Sequence, residues 1–266
     1  MNVDLLKLAY FSPTGTSKAV CEAIAEGLAP VRLESIDATS PKARMRPLSG
    51  NENELLALAC PVYMGRIPAV FRDWLAVMRI ENVPAVCVVV YGNRAYENAL
   101  LELADAVTQR GGLPVACAAF IGEHSFSHPD RPTAQGRPHA QDLALAREFG
   151  RKIAGKLRAA PSVAKTCAAS IPGARPYGGV TKLWDVDFIA VGDGCLQCGL
   201  CADICPVGAI DPHDAASIDI EKCLTCCACI KRCPQQARTM RPGPVMDASI
   251  RLTTLYGEPK RPECFL

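Results

Sequence analysis

Short apolar runs alternate with longer amphipathic segments over the first 158 residues of the chain. A run such as residues 85–91 has no polar alternation, as expected for a strand covered on both faces. Apolar residues recur at helical spacing in the segments between the runs. This alternation predicts a doubly wound α/β domain with a parallel sheet. Five strands are predicted, at residues 5–11, 31–37, 55–60, 85–91 and 114–121.

The pattern changes after residue 158. Residues 159–192 contain several prolines and glycines and are predicted to be a linker, with Trp184 and Phe188 anchoring it on a domain. Residues 193–240 are rich in cysteine and are predicted to form a second, small domain. Residues 241–266 are predicted to be a tail that packs back on the domains through apolar residues at Ile250, Leu252, Leu255 and Phe265.

The composition is that of a globular protein, with 49% hydrophobic residues and a net charge of +2 over 266 residues. No charge extreme points to nucleic acid or to a membrane surface. The uncharged stretch between Glu81 and Arg94 has twelve residues, short of the roughly 20 that span a bilayer. The opening residues, "MNVDLLKLAY", do not have the pattern of a signal peptide. We therefore expect a cytoplasmic protein that binds neither nucleic acid nor membrane.

Eight of the fifteen cysteines form an internal repeat. Residues 195–206 and 223–234 both read C-x2-C-x2-C-x3-C-P, in a register of 28 residues. Clustered thiols in a reducing compartment indicate metal ligands more often than disulfides. The remaining cysteines are interpreted as small hydrophobic residues: Cys21, Cys60, Cys87, Cys117, Cys167, Cys227 and Cys264.

The repeat has the spacing of bacterial ferredoxins, in which three thiolates bind one [4Fe–4S] cube and the fourth binds the other. Paired C-x2-C units also bind zinc, but structural zinc needs only four ligands from two separated pairs. The spacing favours two [4Fe–4S] clusters. Cluster one is predicted to take Cys195, Cys198, Cys201 and Cys233, and cluster two to take Cys223, Cys226, Cys229 and Cys205.

Cys227 is the fifth cysteine of the second copy and stands in register with Gly199. Two interpretations are open for it. It is either an alternative ligand that could replace Cys226, or a bystander packed near cluster two. Its register opposite a glycine favours the bystander.

Ligands of a doubly wound sheet bind beyond the carboxyl ends of its strands. The loop after the first strand, Ser12 to Lys18, has four hydroxyl residues around Gly15 and leads into a helix, whose N-terminus attracts anions. It lacks the Walker pattern, so a terminal phosphate monoester, as in FMN, suits it better than a triphosphate. The alternative interpretation is an ordinary helix cap.

Two further loops end at the same edge of the sheet. Residues 61–68 present Tyr63, which could stack on a flat ring, and Arg66, which could pair with an anion. Residues 91–98 again combine an aromatic residue with amides. His124 and His128 follow the fifth strand and are interpreted as structural or partner-facing.

The sequences "YFSPTGTSK", "PVYMGRIP" and "YGNRAYEN" are similar to the three FMN loops of the flavodoxin-like fold. Over residues 3–240 the chain resembles flavodoxin–ferredoxin fusion proteins of anaerobic microbes, which are electron-transfer flavoproteins. The resemblance implies a small α+β ferredoxin-like domain after the flavodoxin-like one. It also implies FMN, with the phosphate at Ser12, Thr14, Gly15, Thr16 and Ser17 and the ring near Pro61, Val62, Tyr63, Met64, Gly65, Gly92, Asn93 and Tyr96. Pro13 departs from the family pattern, because it has no N–H to offer the phosphate.

Two functions follow from these patterns. The first is an electron carrier that relays electrons between the clusters and FMN and on to a redox partner protein, either a ferredoxin-type donor or a reductase. An exposed flavin edge lined by Tyr63, Met64 and Tyr96 would suit such a partner. The second is a flavin-dependent reductase of a small molecule. No acid–base pair is evident near the flavin loops, and Tyr63 and His124 are the only candidates, so the carrier is favoured and no catalytic residue is assigned.

Overall fold

A computed structural model describes residues 5–162, 168, 170–179 and 186–266. Trp184 and Cys167 lie outside the described residues. The first part of the chain alternates strands and helices, as predicted. Its elements are β1 (Leu5–Tyr10), α1 (Thr16–Leu28), β2 (Arg32–Asp37), α2 (Pro41–Arg44), β3 (Ser49–Gly50), β4 (Glu54–Pro61), α3 (Ala69–Leu75), β5 (Arg79–Ile80), β6 (Pro84–Tyr91), α4 (Ala99–Thr108), β7 (Leu113–Ile121) and α5 (Ala140–Ala159).

The main sheet has the order β2-β1-β4-β6-β7, and all neighbours in this run are parallel. Counted along the chain, this is the order 2-1-3-4-5 of the flavodoxin-like doubly wound fold. The five strands are those predicted from the sequence, so the fold class is confirmed. The two-residue strands β3 and β5 pair with each other outside this sheet and are too short to show an apolar pattern.

Each face of the sheet is covered by a separate apolar cluster. On one face, Phe11, Phe71 and Leu100 are fully buried together with residues of α3 and α4. On the other, β-strand residues pack against α1 and α5. The two helices α1 and α5 approach so closely that a Cβ on Gly27 would lie 2.0 Å from the Arg147 carbonyl oxygen. Glycine at this crossing is therefore a packing requirement.

The cysteine-rich part forms a second, smaller α+β unit. Its elements are β8 (Ile189–Val191), α6 (Leu200–Asp203), α7 (Ala228–Lys231) and β9 (Arg238–Met240). β8 and β9 pair in antiparallel fashion. The short helices α6 and α7 begin after Gly199 and Cys227, which both have left-handed backbone angles. The 28-residue repeat of the sequence is thus a repeat of backbone structure as well.

The residues after 240 form helix α8 (Pro244–Leu255) and strand β10 (Glu263–Phe265). α8 packs on the small unit through Val245, Ala248 and Leu252. Of the predicted packing residues, Ile250 and Leu255 are instead 48% and 61% exposed. β10 adds an antiparallel sixth strand to the edge of β7, which the sequence pattern did not predict.

Direct contacts join the two units. Phe126, which follows β7, is buried in the apolar cluster of the small unit, and its carbonyl accepts a hydrogen bond from Ser249 Oγ at 2.7 Å. Lys231 Nζ pairs with Glu123 at 2.5 Å. Arg44 of α2 donates to the Pro206 carbonyl. These contacts hold the small unit against the carboxyl end of the sheet. Among the helices described, none combines the length and apolar character needed to cross a membrane.

Candidate functional site

The loop between β1 and α1 leaves several hydrogen-bond donors unused. Gly15, with φ of 92°, precedes the first residue of α1, and Lys18 N–H donates to Ser12 Oγ at 3.0 Å. The backbone N–H groups of Thr14, Thr16 and Ser17 have no acceptor among the described residues. Ser17 Oγ is buried and has no hydrogen-bond partner there either. Such groups are costly unless a ligand satisfies them, and a phosphate supplies the oxygens they need.

Pro13 removes one donor from this loop, but the three free amides remain. The loop is also braced from outside, because Ser12 N–H donates to Thr39 Oγ1 at 2.7 Å. The residues present therefore fit a phosphate group, even though Pro13 has no N–H to donate to it.

The three predicted loops meet at one cavity of about 460 Å³. It opens at the carboxyl ends of β1, β4 and β6, as expected for a doubly wound sheet. Its volume falls in the range typical of small-molecule sites. The predicted residues that line it are Thr14, Thr16, Pro61, Val62, Tyr63, Met64, Gly65 and Gly92.

The loop after β4 is a tight turn. Tyr63 and Arg66 exchange two backbone hydrogen bonds, at 2.9 and 3.1 Å, around Met64 and Gly65. Gly65 has φ of 77°, and a Cβ there would lie 1.9 Å from Glu97 Oε2. The turn therefore needs glycine and holds the Tyr63 ring in place beside the cavity.

Two residues that were predicted to lie near the ring do not line this cavity. Asn93 Nδ2 donates to the carbonyls of Tyr256 and Glu258 at 2.6 and 2.9 Å. Tyr96 is buried, and its hydroxyl donates to Glu263 at 2.9 Å. Both residues therefore bond to the chain after α8, and their position near a flavin ring stays a prediction.

Several residues of the cavity wall could not be identified from the sequence pattern. α8 and the residue after it contribute Ala248, Arg251, Leu252 and Tyr256, which lie more than 120 residues along the chain from the loops after β1, β4, β6 and β7. Only the apolar spacing of the tail hinted at packing, and it gave no indication of which surface the tail would cover.

His124 also lines the cavity, at the end of the loop after β7. Its Nδ1 accepts a hydrogen bond from Phe126 N–H at 3.0 Å. Burial, with smaller effects from Lys231 and Arg94, lowers the pKa of His124 to about 4. The imidazole is therefore neutral at pH 7, and with Nδ1 accepting, its hydrogen is on Nε2. Its position after a strand at the carboxyl edge was the signal that could have identified it.

The cysteines of the repeat gather around two further cavities. One is lined by Cys195, Cys198, Cys201 and Cys233, and the other by Cys205, Cys223, Cys226 and Cys229. Each set takes its fourth cysteine from the other copy of the repeat, which is the crossed arrangement that the spacing predicts. Within the part of the chain that the structure describes, no three His, Cys, Asp or Glu side chains lie close enough to hold a single metal ion. Thiolates spread around a cavity fit the corners of a cube.

Cys227 lines the second of these cavities together with the predicted ligands. It is only 2% exposed, and its Sγ lies 3.9 Å from the carbonyl oxygen of Thr225, to which it donates. This contact turns the thiol toward the backbone of its own loop. Both interpretations of Cys227 remain testable by substitution.

The second cysteine cavity adjoins the large one. Thr225 lies between Cys223 and Cys226 in the chain and lines the large cavity. Its neighbour Leu224 packs against the core of the large domain. Burial raises the pKa of Tyr63 well above its usual value, and the nearby thiols of Cys226 and Cys227 raise it further. Tyr63 and Thr225 therefore lie between the two sites.

The first cysteine cavity lies on the outer side of the small domain. Cys198 is exposed, and it is flanked by Leu196 and Leu200, which are 69% and 37% exposed. Leu196 and Leu200 thus leave apolar surface exposed beside a predicted ligand cysteine.

Residues 188–234 match the family of 4Fe–4S dicluster domains. The parallel sheet of the preceding part has the flavodoxin-like strand order. The chain joins a flavodoxin-like domain to a dicluster ferredoxin domain.

The ferredoxin domain is also similar to a curated protein, one of the subunits of the ion-translocating oxidoreductase complex of Methanosarcina acetivorans. The two are 47% identical over 49 residues, which is 18% of this chain and 19% of the relative. The match thus spans about a fifth of the relative's length.

Solved structures similar to the flavodoxin-like domain include a flavodoxin from the domain Archaea, with 16% identity and a TM-score of 0.41 over 58% of this chain and 99% of that one. A WrbA-like flavodoxin from Agrobacterium tumefaciens has 20% identity and a TM-score of 0.40 over 58% and 98%. Rubredoxin oxygen:oxidoreductase from Desulfovibrio gigas has 12% identity and a TM-score of 0.42 over 59% and 37%. With TM-scores this low, these similarities add no evidence for the fold beyond the strand order.

Proposed function

We propose that this fusion protein is an electron carrier that holds FMN in the large cavity and a [4Fe–4S] cluster in each cysteine-lined cavity. Electrons pass between cluster two and FMN within one chain. The observation that supports this most is the position of Thr225, which belongs to the loop of cluster two and also to the wall of the large cavity. A single loop thereby brings the two redox sites next to each other.

The residues of the chain have separable roles in this proposal. The amides of Thr14, Thr16 and Ser17 and the Ser17 hydroxyl hold the phosphate. The turn around Gly65 positions Tyr63 against the ring. When bound, the clusters exchange single electrons and FMN exchanges one or two, so the chain can couple one-electron and two-electron partners.

The two cluster sites differ in how exposed they are. Cluster two is enclosed beside the cavity, whereas Cys198 of cluster one is exposed. The exposed residues Leu196, Leu200, Asp193 and Asp203 all lie within five positions of that cysteine in the chain. We infer that the redox partner docks at cluster one and presents a basic rim around an apolar centre.

A second candidate function is a reductase of a small molecule. One observation favours it: α8 and Tyr256 wall the cavity on the side where an open flavin edge was expected. A small substrate could enter such a site more easily than a protein could. His124, neutral and with its hydrogen on Nε2, would donate a hydrogen bond to a substrate or flavin oxygen there.

Cofactor content is the first test of the proposal. Anaerobically purified protein is expected to contain about eight iron atoms, with matching sulfide and one FMN per chain. Stoichiometric zinc in place of iron would contradict the cluster assignment. Cys226→Ser is expected to lose iron from cluster two, whereas Cys227→Ser keeps it if Cys227 is a bystander. Retained iron in Cys226→Ser with loss in Cys227→Ser would reverse the roles of the two cysteines.

Electron transfer between the sites is the second test. The clusters are reduced with a low-potential donor protein, and flavin reduction is followed by absorbance in the wild type, in Cys205→Ser and in the control Cys264→Ser. Cys264 is exposed and lies outside the repeat. Loss of flavin reduction in Cys205→Ser alone supports the relay. Full-rate flavin reduction by a nicotinamide nucleotide in Cys205→Ser, with turnover of a small molecule, would favour the reductase.

A further inference from the structure

Arg238 is a buried cation in the wall of the first cysteine cavity. Only 3% of the residue is exposed. Nη1 donates to Cys201 Sγ at 3.3 Å and to the Ala215 carbonyl at 2.8 Å. Cys201 is a predicted ligand of cluster one, and Arg238 lines the cavity of that cluster.

Two nitrogens of Arg238 have no partner in the described part of the chain. Nε and Nη2 are both buried and unsatisfied. A guanidinium keeps its charge in proteins and has five N–H groups to place, so leaving two of its nitrogens buried and unpaired is expensive. A group bound beside Arg238 must therefore supply acceptors for these two nitrogens. The sulfurs of a cluster in the first cysteine cavity would lie next to them.

The repeat itself does not require an arginine here. In the register of 28 residues, Arg238 corresponds to Ile210 of the first copy, which is 5% exposed. The equivalent position of the first copy thus holds a buried apolar side chain that needs no polar partner. The arginine is a departure from the repeat and needs a reason of its own.

We propose that Arg238 contacts cluster one and raises its reduction potential. Each one-electron reduction adds a negative charge to the cluster, and a buried cation stabilises the reduced form more than the oxidised form. This inference rests on the proposed function, because it requires that the clusters are bound.

The test compares three variants of the full-length, cluster-loaded protein. Arg238→Ile introduces the residue of the first copy, and Arg238→Gln removes the charge while keeping a polar side chain. Arg232→Gln is the control, since it removes one positive charge from an exposed position in the same domain. The midpoint potentials are measured by reductive titration followed by electron paramagnetic resonance, after iron and sulfide have been determined in each sample.

Both Arg238 variants are expected to shift the reduction equilibrium of cluster one at least tenfold toward the oxidised form, about 59 mV for one electron. Arg232→Gln is expected to leave the potentials unchanged within error. Unchanged potentials in either Arg238 variant with full iron content would overturn the inference. Loss of iron from both, with flavin and secondary structure retained, would overturn it in favour of a purely structural role. A wild-type protein without clusters would instead overturn the proposed function.

Discussion

Ser17 buries a hydroxyl that bonds to nothing in the described chain, next to amides of Thr14 and Thr16 that are also unpaired. A buried donor without an acceptor costs roughly 1–3 kcal/mol. An anion bound here would satisfy the Ser17 hydroxyl together with the unpaired amides and would stabilise the loop. The choice of residues in this loop is therefore better explained by anion binding than by the stability of the fold.

Thr14→Asp tests the phosphate site. A carboxylate at this position places a negative charge against the phosphate, and two like charges about 4 Å apart repel by about 4 kcal/mol at an effective dielectric constant of 20. We expect FMN affinity to fall at least about 100-fold, measured by quenching of flavin fluorescence. Thr14→Ser, which keeps the hydroxyl, is the control and should bind normally. Equal affinity in Thr14→Asp would show that the phosphate lies elsewhere.

His124 predicts a pH dependence of stability. Its pKa is about 4 in the folded protein and 6.5 in the reference state, so the unfolded chain binds more protons between these values. Stability is then lost as the pH falls below 6.5. At pH 5 this shift lowers the free energy of unfolding by about 2 kcal/mol, since one pKa unit corresponds to 1.36 kcal/mol.

The measurement is the denaturant midpoint at pH 7 and pH 5 in the wild type, His124→Gln and His128→Gln. His128 is half-exposed and serves as the control. Between pH 7 and pH 5, the free energy of unfolding should fall by about 2 kcal/mol more in the wild type and in His128→Gln than in His124→Gln. The same loss in all three proteins would show that His124 is not held neutral.

At the scale of elements, the chain after α8 completes the cavity. Tyr256 lines the wall, and Asn93 holds the following segment by accepting from Lys260 N–H at 3.3 Å as well as donating to two carbonyls. β10 then pairs with β7 at the sheet edge. One buried asparagine thus connects the loop after β6 to a segment more than 160 residues later.

Asn93→Ala is expected to loosen this segment. The loss of a buried side chain's hydrogen bonds costs roughly 1–3 kcal/mol. Amide hydrogen exchange in residues 257–265 should therefore accelerate at least about tenfold, because 1.4 kcal/mol is a factor of ten. Asn53→Ala, on an exposed loop, is the control and should leave these rates unchanged. Unaltered exchange in Asn93→Ala would show that β10 alone holds the segment.

At the scale of the whole molecule, the position of the ferredoxin domain depends on a few anchors. Leu224, from the loop of cluster two, packs against the core of the flavodoxin-like domain, and Phe126 packs in the opposite direction. The anchors fix the distance between the redox sites, which the connecting segment alone would not do.

Leu224→Ala is expected to weaken this docking by about 2 kcal/mol, the lower end of the usual cost of such a truncation because the residue is only partly buried. Iron and flavin contents should stay normal, while electron transfer from the clusters to the flavin slows in a single-turnover measurement. Leu145→Ala removes the same volume from an exposed site on α5 and is the control. An unchanged rate in Leu224→Ala would mean that other contacts set the distance.

The sequence by itself determined the parallel sheet and the iron–sulfur domain, because both depend on local patterns. Buried strands are uninterrupted apolar runs, and cubane ligands follow one short spacing repeated 28 residues apart. The loops after β1 and β4 could be placed at the cavity because parallel strands end at a common edge. Only the tertiary structure decided that α8 walls the large cavity, that Asn93 and Tyr96 bind the tail, and that Arg238 lines the first cysteine cavity beside Cys201. Those features join segments distant in sequence, and side-chain contacts over such distances leave no periodic pattern in the chain.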